Sequence, residues 1–251
     1  MPDGRLPESR YVNTRPGGQE VLSLRYGATP DLLISCDVGA RGRCGVGNTF
    51  DAGLWYLKLA LYLALSVAFC VGYFSAQRFP LFPSPTLPLT FLDHTIGFHP
   101  QAIYLYQSVY LLVPLFPFLA WTRQQLMQYA LGFALLSGIS FLIFMFVPIA
   151  GPRPDGDTGV AMFRLMTSYD GKTNTIPSLH VGIAVYSVLF GYQLSQTARG
   201  LRPLVWIGVA WTVLIMYATL ATKQHYAVDL PPGAVLAWIA HRVASRRRAQ
   251  A

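Results

Sequence analysis

Charge is what this chain has least of. Only 12% of its 251 residues are Asp, Glu, Lys or Arg, about half the share of roughly 25% in a soluble domain. Hydrophobic residues make up 53%, the mean hydropathy is +0.39, and the apolar residues fall in blocks. That pattern excludes a large soluble core and indicates a membrane protein. Cysteine is scarce too. Cys36, Cys44 and Cys70 are too few for a disulfide framework, and Cys70 lies in an apolar run as a small packing residue. Cys36 and Cys44 can pair, yet no His or further Cys stands near them at zinc-ligand spacing. No basic stretch followed by an apolar core and a small-residue cleavage site marks a signal peptide, and no internal repeat is visible. The net charge of +8 sits mostly in the tails and in short connections, which fits the positive-inside rule better than a nucleic-acid groove.

The apolar blocks predict six spans: Leu54 to Phe74, Ala102 to Trp121, Tyr129 to Val147, Ser178 to Thr197, Pro203 to Ala221, and Val228 to about Ala244. Each approaches the roughly 20 residues needed to cross a bilayer. Lys58, near the start of the first, is expected to snorkel its amine to the headgroups. Arg246 to Arg248 stop the last. Residues 1–50 are rich in Gly, Arg and small polar residues, with no sustained periodicity. They read either as a poorly ordered cytoplasmic tail or as upstream sequence included by a wrongly chosen start codon. The expected organisation is therefore a tail over 1–50 and a six-helix membrane domain over 51–248.

With six spans both termini share a side. That side holds thirteen of the nineteen Lys and Arg residues, the other holds five, and Lys58 lies within a span. The excess marks the first side as cytoplasmic. Between the first two spans, residues 79–100 are apolar but broken by proline, so they predict an interfacial or re-entrant segment rather than a crossing.

Three clusters lie on the side away from the cytoplasm: Gly151-Pro152-Arg153-Pro154, Pro177-Ser178-Leu179-His180, and Lys223-Gln224-His225-Tyr226-Ala227-Val228-Asp229. Together they hold the parts of phosphoryl transfer, which needs a nucleophile in line, an acid for the leaving oxygen, and donors on the phosphate oxygens. His225 can attack phosphorus while its second nitrogen donates to Asp229, which stabilises the charged phosphohistidine. His180 can protonate the leaving oxygen and later deprotonate the attacking water or alcohol. Ser178 and the helix start after Pro177 offer donors. Arg153 and Lys223 are candidate phosphate clamps. Singly each signal is weak. A lone boundary His is more often an interfacial residue, Arg153 alone is a loop arginine, and Asp229 alone is a first-turn acid. His94 and His99 with Asp93 read as aqueous loop residues rather than metal ligands. The ordered combination on one face carries the inference.

These motifs resemble the type 2 phosphatidic acid phosphatase superfamily over about residues 90 to 240. Arg153-Pro154, Pro177-Ser178-Leu179-His180, and His225 with Asp229 stand in that family's order. The chain departs where Phe146 replaces a Lys, Leu179 replaces a Gly, and Ala218 and Thr219 replace a Ser-Arg pair. With Lys223 close to His225, with Gly233, and with the Asp93-to-Tyr106 segment, these departures resemble the branch of inositol phosphorylceramide synthases and related inositolphosphotransferases. The resemblance implies His225 as nucleophile, Asp229 as its partner and His180 as acid/base.

The expectation is thus an all-α integral membrane protein, multi-pass in a bacterial inner membrane. About six transmembrane helices carry an active site at the non-cytoplasmic face. It moves or hydrolyses a phosphoryl group on a lipid, with headgroup transfer favoured over a plain lipid or isoprenyl phosphate phosphatase. Partners are the lipid phosphate and membrane lipids, without nucleic acid, cofactor or metal, and the oligomeric state is open. A proton-coupled transporter using the same histidines is the competing class, disfavoured because the polar residues cluster at span ends rather than at the midplane.

Overall fold

The computed structural model describes residues 52–154, 156 and 158–246, together with the backbone of four short segments before them. Those segments are strands β1 (Ser9–Tyr11), β2 (Val21–Leu24), β3 (Leu32–Cys36) and β4 (Cys44–Val46). They pair antiparallel in the order β1-β2-β3-β4, with Cys36 opposite Cys44. The rest of the expected 1–50 tail lies outside the described residues, and so do Arg247 and Arg248.

The remainder is helical. Helix α1 (Ala52–Arg78) buries only Leu54 and Ala76. A helix apolar all round and so little covered by protein suits a lipid surround. Helix α2 (Phe91–Thr95) opens on a reciprocal capping box between Thr90 and Asp93. After a 3-10 turn (Pro100–Ala102) come α3 (Ile103–Gln107) and α4 (Val109–Phe118). Helix α5 (Arg123–Phe146) carries a second capping box, Thr122 with Gln125. Then follow α6 (Ala161–Tyr169), α7 (Leu179–Thr197), α8 (Arg202–Ala221) and α9 (Leu230–Arg246).

Among the described residues, three helical stretches are long and apolar enough to cross a membrane: Ala52–Arg78, Arg123–Phe146 and Arg199–Ala221, the last including the turn before α8. The expected Ala102 to Trp121 span is helical but interrupted. Ser108 folds its hydroxyl onto the Leu105 carbonyl, and Pro114 and Pro117 remove two N–H donors from α4. Helix α9 has 17 residues. Helix α7 has 19 but carries His180, Tyr186, Ser187 and Gln193, which lower its hydropathy and are used inside the bundle.

Helix α7 is the axis around which α4, α5, α8 and α9 pack. Its buried Ile183, Ala184, Tyr186 and Phe190 join Leu112 and Phe116 of α4, Phe133 and Leu136 of α5, Ile215 of α8 and Ala237 of α9. Tyr186 donates to the Tyr129 carbonyl at 2.9 Å. At one end Gln193 donates to Gln128 at 3.0 Å, and Ser245 donates to Gln193 at 3.1 Å. The opposite end carries the loops with the three motifs. Lys58 donates to the Phe118 carbonyl at 2.7 Å, which ties the start of α1 to the end of α4. The last carbonyls of α4 lack helical partners and attract such a donor.

Close approach of α9 to α7 depends on Gly233. A Cβ there would strike the Ser178 carbonyl oxygen, and a Cβ on Gly182 would stand 3.2 Å from the Gly233 carbonyl oxygen. Gly233→Val is expected to force the two helices apart and cost about 1–3 kcal/mol. The cost should appear as a lower midpoint of thermal unfolding in detergent. Gly138→Ala, whose Cβ would meet nothing within 4 Å, should not lower that midpoint.

Candidate active site

Loops from four parts of the chain close over the end of α7. Tyr226, between α8 and α9, ties three of them. Its hydroxyl donates to the Ala150 carbonyl at 3.0 Å and accepts from the Leu87 N–H at 3.1 Å. Ala150 in turn donates to the Pro85 carbonyl. Burial pushes the Tyr226 phenol up. The Leu87 N–H opposes that shift, and the carboxylates of Asp229 and Asp93 add to it. The hydroxyl thus keeps the proton it donates.

Asp229 lies in a 3-10 turn (Ala227–Asp229) directly before α9. Pro231 and Pro232 occupy the first turn of that helix, where a missing N–H costs nothing. Asp229 is fully buried. Its Oδ2 accepts the Tyr226 N–H at 2.9 Å and faces His225 Nδ1 at 3.3 Å. Its backbone carbonyl accepts the Ser178 N–H at 3.0 Å, which locks the third motif onto the second. His225 Nδ1 also lies 2.8 Å from the Thr175 carbonyl oxygen, so the imidazole is held between a carboxylate and a carbonyl through one nitrogen. Two acceptors on Nδ1 require a proton there, and Nε2 is left as the nitrogen with a lone pair when the ring is neutral.

His180, in the first turn of α7, is anchored in the same way by a different partner. Its Nδ1 shares a hydrogen bond of 2.9 Å with the Tyr106 hydroxyl, and the Tyr106 ring stacks on it, centroids 3.9 Å apart. His180 Nε2 has no partner among the described residues. The rings of His180 and His225 lie 6.3 Å apart at 60°. The pair is edge-to-face, so both imidazoles border one region at the end of α7.

The expected phosphate-binding residues are placed unequally. Ser178 precedes α7 without capping it, and its buried hydroxyl has no partner among the described residues. Arg153 turns its fork onto backbone, donating to the carbonyls of Asp170 at 2.9 Å and Gly171 at 2.5 Å. Its Nε is buried with no partner among the described residues. Lys223, at a positive φ of 54°, donates to the carbonyls of Asp93 at 2.5 Å and Ile96 at 2.6 Å, leaving one of its three hydrogens. Both cations therefore brace loops.

Two contributors escaped the motif reading. Asp93 is buried rather than an aqueous loop residue. Its Oδ2 accepts from Thr90, and its Oδ1 accepts the Ala227 N–H at 2.8 Å, which pins α2 to the His225 loop. Thr90 three residues ahead of it was the legible sign. Tyr106 had no sequence signal beyond its place in the segment that follows. Among the described residues no three His, Cys, Asp or Glu side chains gather in a way that could hold a metal.

A family model described as the PAP2 superfamily matches residues 75–243, more than half of the chain. The chain belongs to the PAP2 superfamily. The matched stretch encloses every residue of the site above. Membership assigns phosphatase-type chemistry on lipid phosphoesters, with a lipid phosphate as substrate. No curated protein matches the chain, and no solved structure does.

Tyr106→Phe is expected to lower turnover of an alkyl phosphate about tenfold. The loss of one hydrogen bond of about 1–1.5 kcal/mol frees the His180 ring, and 1.36 kcal/mol is a tenfold change in rate. Steady-state phosphate release by purified variant and wild type checks it.

Proposed function

We propose that this chain is a lipid phosphotransferase that works through a phosphohistidine on His225. The observation that carries the reading is the matched anchoring of two histidines. Each is fixed through Nδ1, which leaves Nε2 for chemistry, and their ring centroids lie 6.3 Å apart, edge to face. His225 Nε2 attacks phosphorus and displaces the alkoxide. Asp229 and the Thr175 carbonyl hold the Nδ1 proton and stabilise the positive charge on the phosphorylated ring. His180 gives its Nε2 proton to the departing oxygen, then takes one from the incoming alcohol as that alcohol attacks the N–P bond. The Ser178 hydroxyl, Arg153 Nε and the third Lys223 hydrogen are the donors assigned to the phosphate oxygens.

The preference for an alcohol over water as acceptor rests on the resemblance to the inositol phosphorylceramide synthase branch, through Lys223, Gly233 and the Asp93-to-Tyr106 segment. The full topology we propose has six crossings, α3 and α4 together making the second. The site lies at the non-cytoplasmic face, since the described end opposite the motifs carries Arg123, Arg199, Arg202, Arg242 and Arg246.

Purified protein in detergent, given phosphatidic acid, isoprenyl diphosphate, or phosphatidylinositol with ceramide or diacylglycerol, tests the reading. A new phospholipid without matching free phosphate supports transfer. Free phosphate alone makes it a hydrolase. Activity unchanged in His225→Ala removes the mechanism.

A further inference from the structure

Three cavities run end to end along one side of α1. The first, about 210 Å³, is bounded by Tyr106, Tyr110, Tyr169, Asp170 and His180. The second, about 130 Å³, shares Phe69, Cys70, Tyr110 and Ile183 with it. The third, about 40 Å³, shares Tyr62, Ser66, Val113 and Phe133 with the second and ends at Lys58 and Phe118. Their succession traces a groove from the wall of the histidine pair to the far end of α4.

The packing of α1 explains the gap. Along its middle the helix leans on α5, with Phe69 against Phe133 and Phe141. It is tied to α4 at the far end, where Trp55 and Tyr62 meet Phe118 edge-on and Lys58 bonds the Phe118 carbonyl. Between those ties the facing side chains are small or ring-closed: Ser66 and Cys70 on α1, Val113 and Pro114 on α4.

The lining changes character along its length. Beside His180 it presents tyrosine hydroxyls and one carboxylate, with Tyr73 and Gln77 both donating to Asp170. Beyond Cys70 it is nearly all hydrocarbon and ring. From Cys70 to Lys58 is twelve helical residues, roughly 18 Å at 1.5 Å each, against roughly 15 Å for the hydrocarbon depth of one leaflet. An amphiphile with a short polar neck and one straight tail matches that sequence of surfaces.

We propose that the groove between α1 and α4 holds a hydrocarbon chain of the lipid phosphate whose phosphoryl group reacts between His180 and His225. This rests on the phosphoryl-transfer reading above, and it assigns substrate-length selectivity to α1, which contributes no motif residue. A chain held along Cys70 and Ser66 adds apolar burial with every methylene, so longer tails bind better until the groove is full.

The test compares dipalmitoyl with dibutyryl phosphatidic acid in detergent, following consumption of either lipid. Wild type is expected to show a kcat/KM at least about tenfold higher for the long chains, since two or more buried methylenes supply that factor. Cys70→Trp and Ser66→Trp fill the groove and should remove that preference, through a loss of kcat/KM on the dipalmitoyl lipid larger than the loss on the dibutyryl lipid. Val67→Trp, on the exposed face of α1, should change neither. Equal losses on both lipids, or an undiminished preference in both filled variants, would overturn the assignment. Labelling by a palmitoyl chain bearing a diazirine decides the groove independently of turnover. Insertion confined to α1 and α4 and lost in Cys70→Trp supports it, and labelling spread evenly over the outer helices overturns it. A wild type that turns over no phosphate ester defeats the phosphoryl reading alone.

Discussion

His225→Ala is expected to lower lipid phosphate turnover by about 10⁴-fold or more, the scale reached when a covalent nucleophile is removed. No neighbouring side chain can take over. Asp229 is fully buried behind the ring, and His180 is turned to Tyr106 through its other nitrogen. Among the described residues the substitution also leaves the Asp229 carboxylate with the Tyr226 N–H as its one remaining partner, so protein stability should be measured alongside. A folded variant with intact melting behaviour and no turnover isolates the chemistry. The second arm is direct: wild type given phosphorus-labelled lipid should carry an acid-labile, base-stable label, and His225→Ala should carry none. Asp229→Asn should accumulate less label and lose on the order of 10²–10⁴ in rate, because an amide does not neutralise the charged phosphoimidazole. More than a tenth of wild-type activity in His225→Ala would sink the phosphohistidine mechanism.

The motifs were legible because each depends on local order. His225 and Asp229 are four apart, Ser178 and His180 open one helix, and the double proline after Leu230 dictates where α9 starts. What long-range contacts decide was not legible. Hydropathy reports that residues 102–121 are apolar but not that Ser108 bends its hydroxyl back onto the chain there. Lys223 stands beside His225 in sequence, yet its long side chain reaches the carbonyls at the end of α2, more than 120 residues earlier. Asp93 looked solvated because its segment is broken by prolines and reads as a loop at the membrane face. Its burial follows from the unpaired Ala227 N–H that it satisfies, a demand created only when the two loops meet. Tyr106 belongs to the same class: an aromatic in an apolar run is ordinarily core, and only the fold turns its hydroxyl to His180.

His180→Ala should separate proton transfer from attack. A lipid alkoxide is a poor leaving group, so its departure needs the Nε2 proton, and loss of a positioned general acid costs about 10²–10⁴-fold. Para-nitrophenolate leaves without a proton. On para-nitrophenyl phosphate the same variant should therefore lose far less, no more than about tenfold, while His225→Ala loses nearly everything on both substrates. Tyr106→Phe should repeat the His180 pattern at smaller amplitude, because it acts through the same ring. The contrast distinguishes roles that a single substrate would merge. If His180→Ala suffers equally on both esters, His180 serves in binding or in the fold rather than as the acid, and the unpartnered Nε2 needs a different occupant. If it suffers on neither, the proton comes from elsewhere in the site, and the Ser178 hydroxyl, buried and unpartnered among the described residues, becomes the group to alter next.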